Sequence, residues 1–456
     1  MTELQKTITY GGVAVVLAVL AFVTAPSRVT PDAFQDKNEL FFQDFTDPNT
    51  ATTLEVIEFD EEGSSAVPFK VTFKGGRWTI PSHNDYPADG KDRLAKTAAG
   101  IIGIRKNEFR SNNLADHEAL GVIDPLDESA TALTGRGTRV TLKGQNAQVL
   151  ADFIMSAEIE GRENYRFVRI PGQKRVYAAK VSIDLSTKFS DWIEPDLLQV
   201  QKADIEKLTI KDYSINERTG SLQKRDTIEL TQKDDGDWKM NKLPAGREIN
   251  MSKVKDLLKT LDEMSIVGVR PKPEGLTQSL TKMNSDGISI TQEAVLSLQS
   301  KGFYFTRDGQ LVSNEGEIQG RTKQGVIYTL RFGEVVYGSG LAVTAGTETD
   351  STEGGAGENR YLFITTSFEG SQFEEPPKPS NFDFMSKADS LLTDRDKENK
   401  EIQEKHDQWL AKIKRGEDRS NELNARFAKW YYVISAQSFD KLHLKRSDLM
   451  KEKKAT

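Results

Sequence analysis

One pattern of short strands and a helix occurs twice in this chain, and it limits the possible folds more than any other feature. The first copy has a Gly-Gly turn, a short strand at 78–80, a proline-containing loop and a helical stripe of apolar residues over 91–103. The second copy has a strand at 238–240, a proline-containing loop and a helix through 250–264. The tryptophans that open the two short strands lie 160 residues apart. We therefore predict an internal duplication of one mixed α/β unit.

Alternation of apolar and polar residues, interrupted by turn-forming residues, predicts the remaining strands. Segment 328–333 in the second copy echoes 139–142 in the first. Short turns between neighbouring strands favour antiparallel pairing, so the predicted fold class is α+β with largely antiparallel sheets. In chain order, the other predicted strands cover 54–59, 67–73, 149–155, 165–170, 176–181, 205–210, 227–231, 266–269 and 360–366.

The N-terminal segment is strongly apolar. No charged residue occurs between Lys6 and Arg28, and the 18 residues of 8–25 form a helix about 27 Å long at 1.5 Å per residue, close to the roughly 30 Å of a hydrocarbon core. We predict an uncleaved signal anchor in the inner membrane, with the bulk of the chain extracytoplasmic. A cleaved signal peptide is the alternative, although Pro26 would follow the cut and disfavour it.

Composition excludes several classes of function. Of the 456 residues 37% are apolar and 29% charged, which suits a folded soluble body. The net charge of −7 argues against nucleic-acid binding, which needs a clustered basic surface. The chain has no cysteine, so it has no disulfide and no thiolate metal ligand. Only the tail at 441–454 is locally basic, and we expect it to be a frayed, solvated end.

The C-terminal part contains a long charged helix. After the stiff linker EEPPKP at 374–379, residues 386–429 contain no proline and predict one continuous helix. Its apolar residues recur at multiples of seven, and Gly416 takes the place of one member, which would interrupt a coiled-coil seam. The helix is either an arm packed on its own chain or an arm that binds a partner. The apolar segment 430–435 should return to a sheet or to a protein surface.

These features predict four parts of the chain. They are a signal anchor at 1–30, a first α/β unit at 31–210, a second unit at 211–372, and a linker, long helix and returning segment at 373–456. The second unit includes an acidic, glycine-rich loop at 344–358, expected to be a mobile hairpin loop.

The sequence contains no recognisable site chemistry. The nucleotide-binding, serine-hydrolase and zinc-protease motifs are all absent. The histidines do not occur at metal-ligand spacing, and we expect all of them at the surface: His83, His117, His406 and His443. We therefore predict no catalytic residue, no cofactor and no metal. A hydrolase with an unrecognised carboxylate pair is the enzymatic alternative.

Three segments carry a family resemblance. They are RWTIP…IIGIRK, DWKMNKLP…MSIVGVRP and SDWIEPDLL…DIEKLTI, the last over 190–210. Together they resemble the family known as domain of unknown function 4340, across residues 54–368. Such proteins are typically encoded beside ABC-type transport systems like those of gliding motility. The resemblance implies a non-enzymatic accessory subunit with a protein partner in an envelope transport complex. An extracytoplasmic protein that binds cell-wall glycan or lipid is the alternative.

Overall fold

The computed structural model describes residues 3–23, 36–61, 63–216, 221–233, 235–281, 291–306, 308–338, 343–346 and 358–453. The chain forms two compact units, one made of Met1–Ile80 with Ala88–Thr187 and the other of Pro81–Pro87 with Lys188–Thr456. The division therefore falls at 187 rather than at the expected 210. The C-terminal part from 373 onward belongs to the second unit and forms no separate body. Most of the acidic loop expected at 344–358 lies outside the described residues.

The first unit is built on an antiparallel sheet with strand order β3-β2-β1-β6-β7-β8-β9-β5. The helices are α1 (Glu3–Val23) and α2 (Lys91–Ile102). The strands are β1 (Thr53–Asp60), β2 (Ser65–Lys74), β3 (Arg77–Ile80), β5 (Glu108–Ser111), β6 (Thr138–Lys143), β7 (Val149–Glu158), β8 (Tyr165–Arg169) and β9 (Val176–Lys180). A two-residue strand, β4 (Tyr86–Pro87), belongs to the second unit.

The second unit has an antiparallel sheet with strand order β12-β11-β10-β17-β18-β19-β20-β14. Its strands are β10 (Ile205–Asn216), β11 (Ser221–Gln232), β12 (Trp238–Met240), β13 (Arg247–Ile249), β14 (Gly268–Pro271), β15 (Phe303–Phe305), β16 (Leu311–Ser313), β17 (Glu317–Thr322), β18 (Val326–Val336), β19 (Asn359–Phe368), β20 (Trp430–Ile434) and β21 (Met450–Glu452). Its helices are α3 (Met251–Asp262), α4 (Glu274–Thr281), α5 (Gln292–Gln299), α6 (Asp394–Phe427) and α7 (Ala436–Leu442).

The two sheets have the same topology. Position by position, β3, β2 and β1 correspond to β12, β11 and β10, and β6 to β9 correspond to β17 to β20. The strand that follows α2 in the first unit is β5, and the strand that follows α3 in the second unit is β14. Each lies at the end of its sheet, beside β9 or β20. The correspondence also corrects one sequence match. Segment 328–333 lies in β18, which occupies the position of β7, so the equivalent of β6 is β17.

Each unit buries one face of its helix. The buried residues of α2 include Leu94, Ala98 and Ile101. Those of α3 include Val254 and Leu261. Spacings of three and four residues place these side chains on one face of a helix. The predicted apolar stripes are confirmed, and α2 and α3 start within one residue of the expected positions.

The N-terminal segment is helical over Glu3–Val23, and its described large side chains, such as Val15 and Leu17, are exposed. Within the part of the chain that the structure describes, no helix combines the length and apolar character required for crossing a membrane.

The basic tail is ordered by the second unit, so the expectation of a frayed end is wrong. Strand β21 pairs antiparallel with β13. Arg446 forms an ion pair with Asp226 at 2.7 Å and donates a second hydrogen bond to the main-chain oxygen of Asn241 at 2.6 Å. These contacts offset the loss of chain entropy that would otherwise favour fraying.

Candidate functional site

A long insertion interrupts the last hairpin of the second sheet, between β19 and β20. We call residues 369–429 the arm; its main parts are a strap, residues 374–393, and helix α6. In the first unit the equivalent strands β8 and β9 are joined by six residues, 170–175. Helix α6 has 34 residues, which corresponds to a length of about 51 Å. The arm is therefore an elaboration of one copy of a duplicated sheet.

The start of α6 is fixed by a capping box. The Thr393 hydroxyl accepts a hydrogen bond from the main-chain N–H of Asp396 at 3.3 Å, and the Asp396 carboxylate accepts one from the N–H of Thr393 at 2.9 Å. Lys387 lies 2.7 Å from the same carboxylate. Its ammonium group, followed by the donors of Thr393, lowers the pKa of Asp396 to about 2. These contacts begin the helix at Asp394, later than the predicted 386.

The C-terminal half of α6 is docked on β19. The main-chain N–H of Thr366 donates to the Asn424 side chain at 2.7 Å, and the Asn424 amide donates back to the Thr366 oxygen at 2.7 Å. The Thr366 hydroxyl also donates to the Ser420 oxygen at 2.8 Å. Gly416 marks the closest approach, because a Cβ atom there would lie 2.1 Å from the Phe368 ring. Gly416 is therefore a contact point with the sheet rather than a mere gap in an apolar seam.

We predict that Gly416→Leu undocks the arm. The added side chain must displace the Phe368 ring, and overpacking of this kind costs about 1–3 kcal/mol. Urea denaturation monitored by circular dichroism should show this decrease in the free energy of unfolding. The matched control is Lys414→Leu, because Lys414 is exposed on the same helix. Equal stability of the two variants would mean that the ring moves aside without cost.

The first part of α6 contacts the strap and Phe373, the residue that directly precedes the strap. The Asn399 side chain accepts a hydrogen bond from the N–H of Ser380 at 3.0 Å, and the Trp409 indole donates to the Phe373 oxygen at 3.2 Å. The Lys412 ammonium lies 3.8 Å from the centre of the Phe373 ring. Four large apolar side chains of the arm are nevertheless exposed: Phe382 (53%), Met385 (65%), Leu391 (70%) and Leu410 (47%).

The expectation that all four histidines lie at the surface is wrong for two of them. His83 is 2% exposed and stacks on Phe189, and burial lowers its pKa to about 4. His117 is 5% exposed and contacts the Lys174 main-chain oxygen at 3.0 Å. Among the described residues, no group of histidines and carboxylates is arranged to hold a metal ion. The predicted absence of catalytic and cofactor residues stays a prediction.

A buried carboxylate organises the polar face of the second sheet. Glu317 on β17 is 5% exposed and accepts contacts from Lys211 at 2.7 Å, Arg331 at 3.1 Å and the Tyr213 hydroxyl at 3.1 Å. Burial, followed by the Glu317 charge, raises the pKa of Tyr213. These residues border a cavity of about 530 Å³. Sequence reasoning missed this cluster because Lys211 and Tyr213 lie more than 100 residues before Glu317.

The second unit also buries a lysine. Lys272, between two prolines, is 6% exposed; its amine donates to the Phe427 oxygen at 3.0 Å and lies 3.9 Å from the centre of the Phe363 ring. Among the described residues, no carboxylate forms an ion pair with it. Burial holds the pKa of Lys272 well below its ordinary value. No periodic or motif signal in the sequence separates this lysine from an exposed one.

Comparison with known proteins supports one family assignment. The family model Domain of unknown function (DUF4340) matches residues 78–279, which run from β3 in the first unit to α4 in the second. The match is shorter than the expected 54–368. No curated protein and no solved structure shows significant similarity to the chain. Residues 78–279 therefore match the DUF4340 family, the family that the sequence segments resemble.

Proposed function

We propose that this protein is a non-enzymatic, membrane-anchored interaction subunit whose arm binds a protein partner. The partner that we propose is a component of an ABC-type transport system in the inner membrane, with the two units outside the cytoplasm. The match to the DUF4340 family supports this proposal through the transport context that the sequence resemblance implies. The apolar stretch in α1, with exposed side chains such as Val13 (51%) and Val16 (58%), supports the anchor.

The observation that carries the proposal is the exposed apolar surface of the arm. Exposed apolar patches mark interaction sites, and three of the four exposed side chains of the arm occur within the ten residues of 382–391. Met385 and Leu391 belong to the strap, which ion pairs hold on α6: Lys387 with Asp396 at 2.7 Å and Lys400 with Asp389 at 3.0 Å. The strap therefore presents these side chains from a fixed position, which lowers the entropic cost of binding a partner.

Co-purification of the full-length protein from membranes in mild detergent tests the proposal. We expect mass spectrometry to identify a permease or an auxiliary component, and we expect Leu391→Lys to reduce its recovery about tenfold, since an ammonium group would be desolvated in the interface. Leu114→Lys is the matched control, because Leu114 is an exposed leucine (58%) of the first unit. Recovery without any transporter subunit, or equal recovery with both variants, would contradict the proposal.

A further inference from the structure

The docked half of the arm forms one wall of a second cleft, with a volume of about 480 Å³. This volume lies within the range of small-molecule sites. The opposite wall comes from the turn between β17 and β18 and from the segment around Gln199. All of these elements belong to the second unit.

The helix side of the cleft is basic. Lys412, Arg415 and Arg419 all line it, and their spacing of three and four residues places them on one face of α6. The lining contains a single carboxylate, that of Asp204. Arg419 is also paired, with Glu422 at 2.9 Å.

Two of these cations have fixed positions. Arg419 donates to the side-chain and main-chain oxygens of Gln199 at 3.1 and 3.4 Å. Lys412 lies over the Phe373 ring. Arg415 differs, because among the described residues no carboxylate forms an ion pair with it. Its guanidinium group offers planar paired donors, which match carboxylate and phosphate groups.

The sheet side of the cleft adds neutral donors and apolar surface. Gln324 contributes an amide, while Val200 and Val326 contribute apolar area. Tyr328 also lines the cleft, and burial raises its pKa to about 12, so its hydroxyl stays protonated at neutral pH. A cleft with one cationic wall and protonated or amide donors opposite is complementary to an anion.

We propose that this cleft binds a small polyanion, a molecule that carries carboxylate or phosphate groups. Lys412 and Arg419 lie seven residues apart, about 10 Å along the helix. A ligand with two or three anionic groups therefore fits this spacing better than a monovalent ion does. The bound molecule would join α6 to the β17–β18 turn. This inference is independent of the identity of the arm's protein partner.

Calorimetric titration of the full-length protein in detergent tests the proposal. Sodium pyrophosphate and sodium citrate are titrated in separate experiments. The ionic strength is held constant, because salt screens exposed charges and would otherwise change the measured affinity. We expect one molecule to bind, with a dissociation constant below about 1 mM, for at least one of the two anions. Binding of pyrophosphate assigns the site to phosphate groups, and binding of citrate assigns it to carboxylates.

Arg415→Gln should weaken binding about tenfold or more, because a charged hydrogen bond is lost. Lys405→Gln makes the same charge change at an exposed position ten residues earlier on α6 and should leave the dissociation constant unchanged. Thermal melts without anion verify that both variants are folded. The proposal is overturned if neither anion binds, or if the two variants weaken binding equally, which would indicate a general charge effect.

Discussion

Glu317→Ala should destabilise the second unit by about 3–5 kcal/mol, the usual loss when one partner of a buried ion pair is removed. The substitution leaves the guanidinium of Arg331, whose side chain is 14% exposed, without its anion, and it removes the acceptor of the Tyr213 hydroxyl. Lys211, whose side chain is 38% exposed, can reach water and should contribute less to the loss. The measurement is the free energy of unfolding from urea titration.

Glu263→Ala is the control for this experiment. Glu263 forms an ion pair with Lys259 at 3.7 Å, and both side chains are 61% exposed. An exposed pair of this kind contributes about 0.3–0.5 kcal/mol. A loss for Glu317→Ala as small as that of the control would show that the Glu317 network has no net effect on stability.

Lys272 should make the stability of the protein rise with pH, and Lys272→Met should remove that contribution. The pKa of Lys272 in the folded state lies well below that of the unfolded chain. Between these two pKa values the unfolded state binds one proton more than the folded state. Stability therefore rises through that window by up to about 1.4 kcal/mol per pH unit. Below the folded-state pKa both states are protonated, and the dependence disappears.

Urea titrations of wild type and Lys272→Met at several pH values between 6 and 10 test this prediction, because the difference between them cancels the other titrating groups. Methionine cannot form the hydrogen bond to the Phe427 oxygen. This loss lowers the free energy of unfolding by about 1 kcal/mol at every pH, so it does not change the slope of stability against pH. Lys405→Met, at an exposed position on α6, controls for the loss of a charge. Parallel curves for wild type and Lys272→Met would mean that the buried amine stays protonated.

Local sequence patterns predicted most of the secondary structure. The strand expected at 78–80 lies in β3, the one expected at 238–240 is β12, and the expected return of 430–435 to a sheet is confirmed by β20. These segments are apolar or alternate regularly, so the information that defines them is contained within a few residues. The mixed α/β class with antiparallel sheets is confirmed for the same reason.

Strand β17 shows where this reasoning failed. Its sequence EIQGRT is largely polar and was not predicted as a strand, yet it lies between β10 and β18 in the second sheet. Glu317 is tolerated there because Lys211 on β10 and Arg331 on β18 neutralise it. Such compensation depends on partners that the sheet brings together across the chain, and no local window of sequence contains it. The buried Lys272 was missed for the same physical reason.

The insertion of the arm also increases the sequence separation between β14 and β20, two strands that pair with each other. Strand β14, completed at residue 271, pairs with β20, which begins at residue 430. During synthesis β14 can therefore pair with β20 only after about 160 further residues have been made. Contacts between residues so far apart in sequence form slowly. Until then β14 lacks its neighbour β20, and unpaired strand edges favour aggregation. A fragment limited to the matched residues 78–279 contains β14 but not β20 and would remain in this incomplete state.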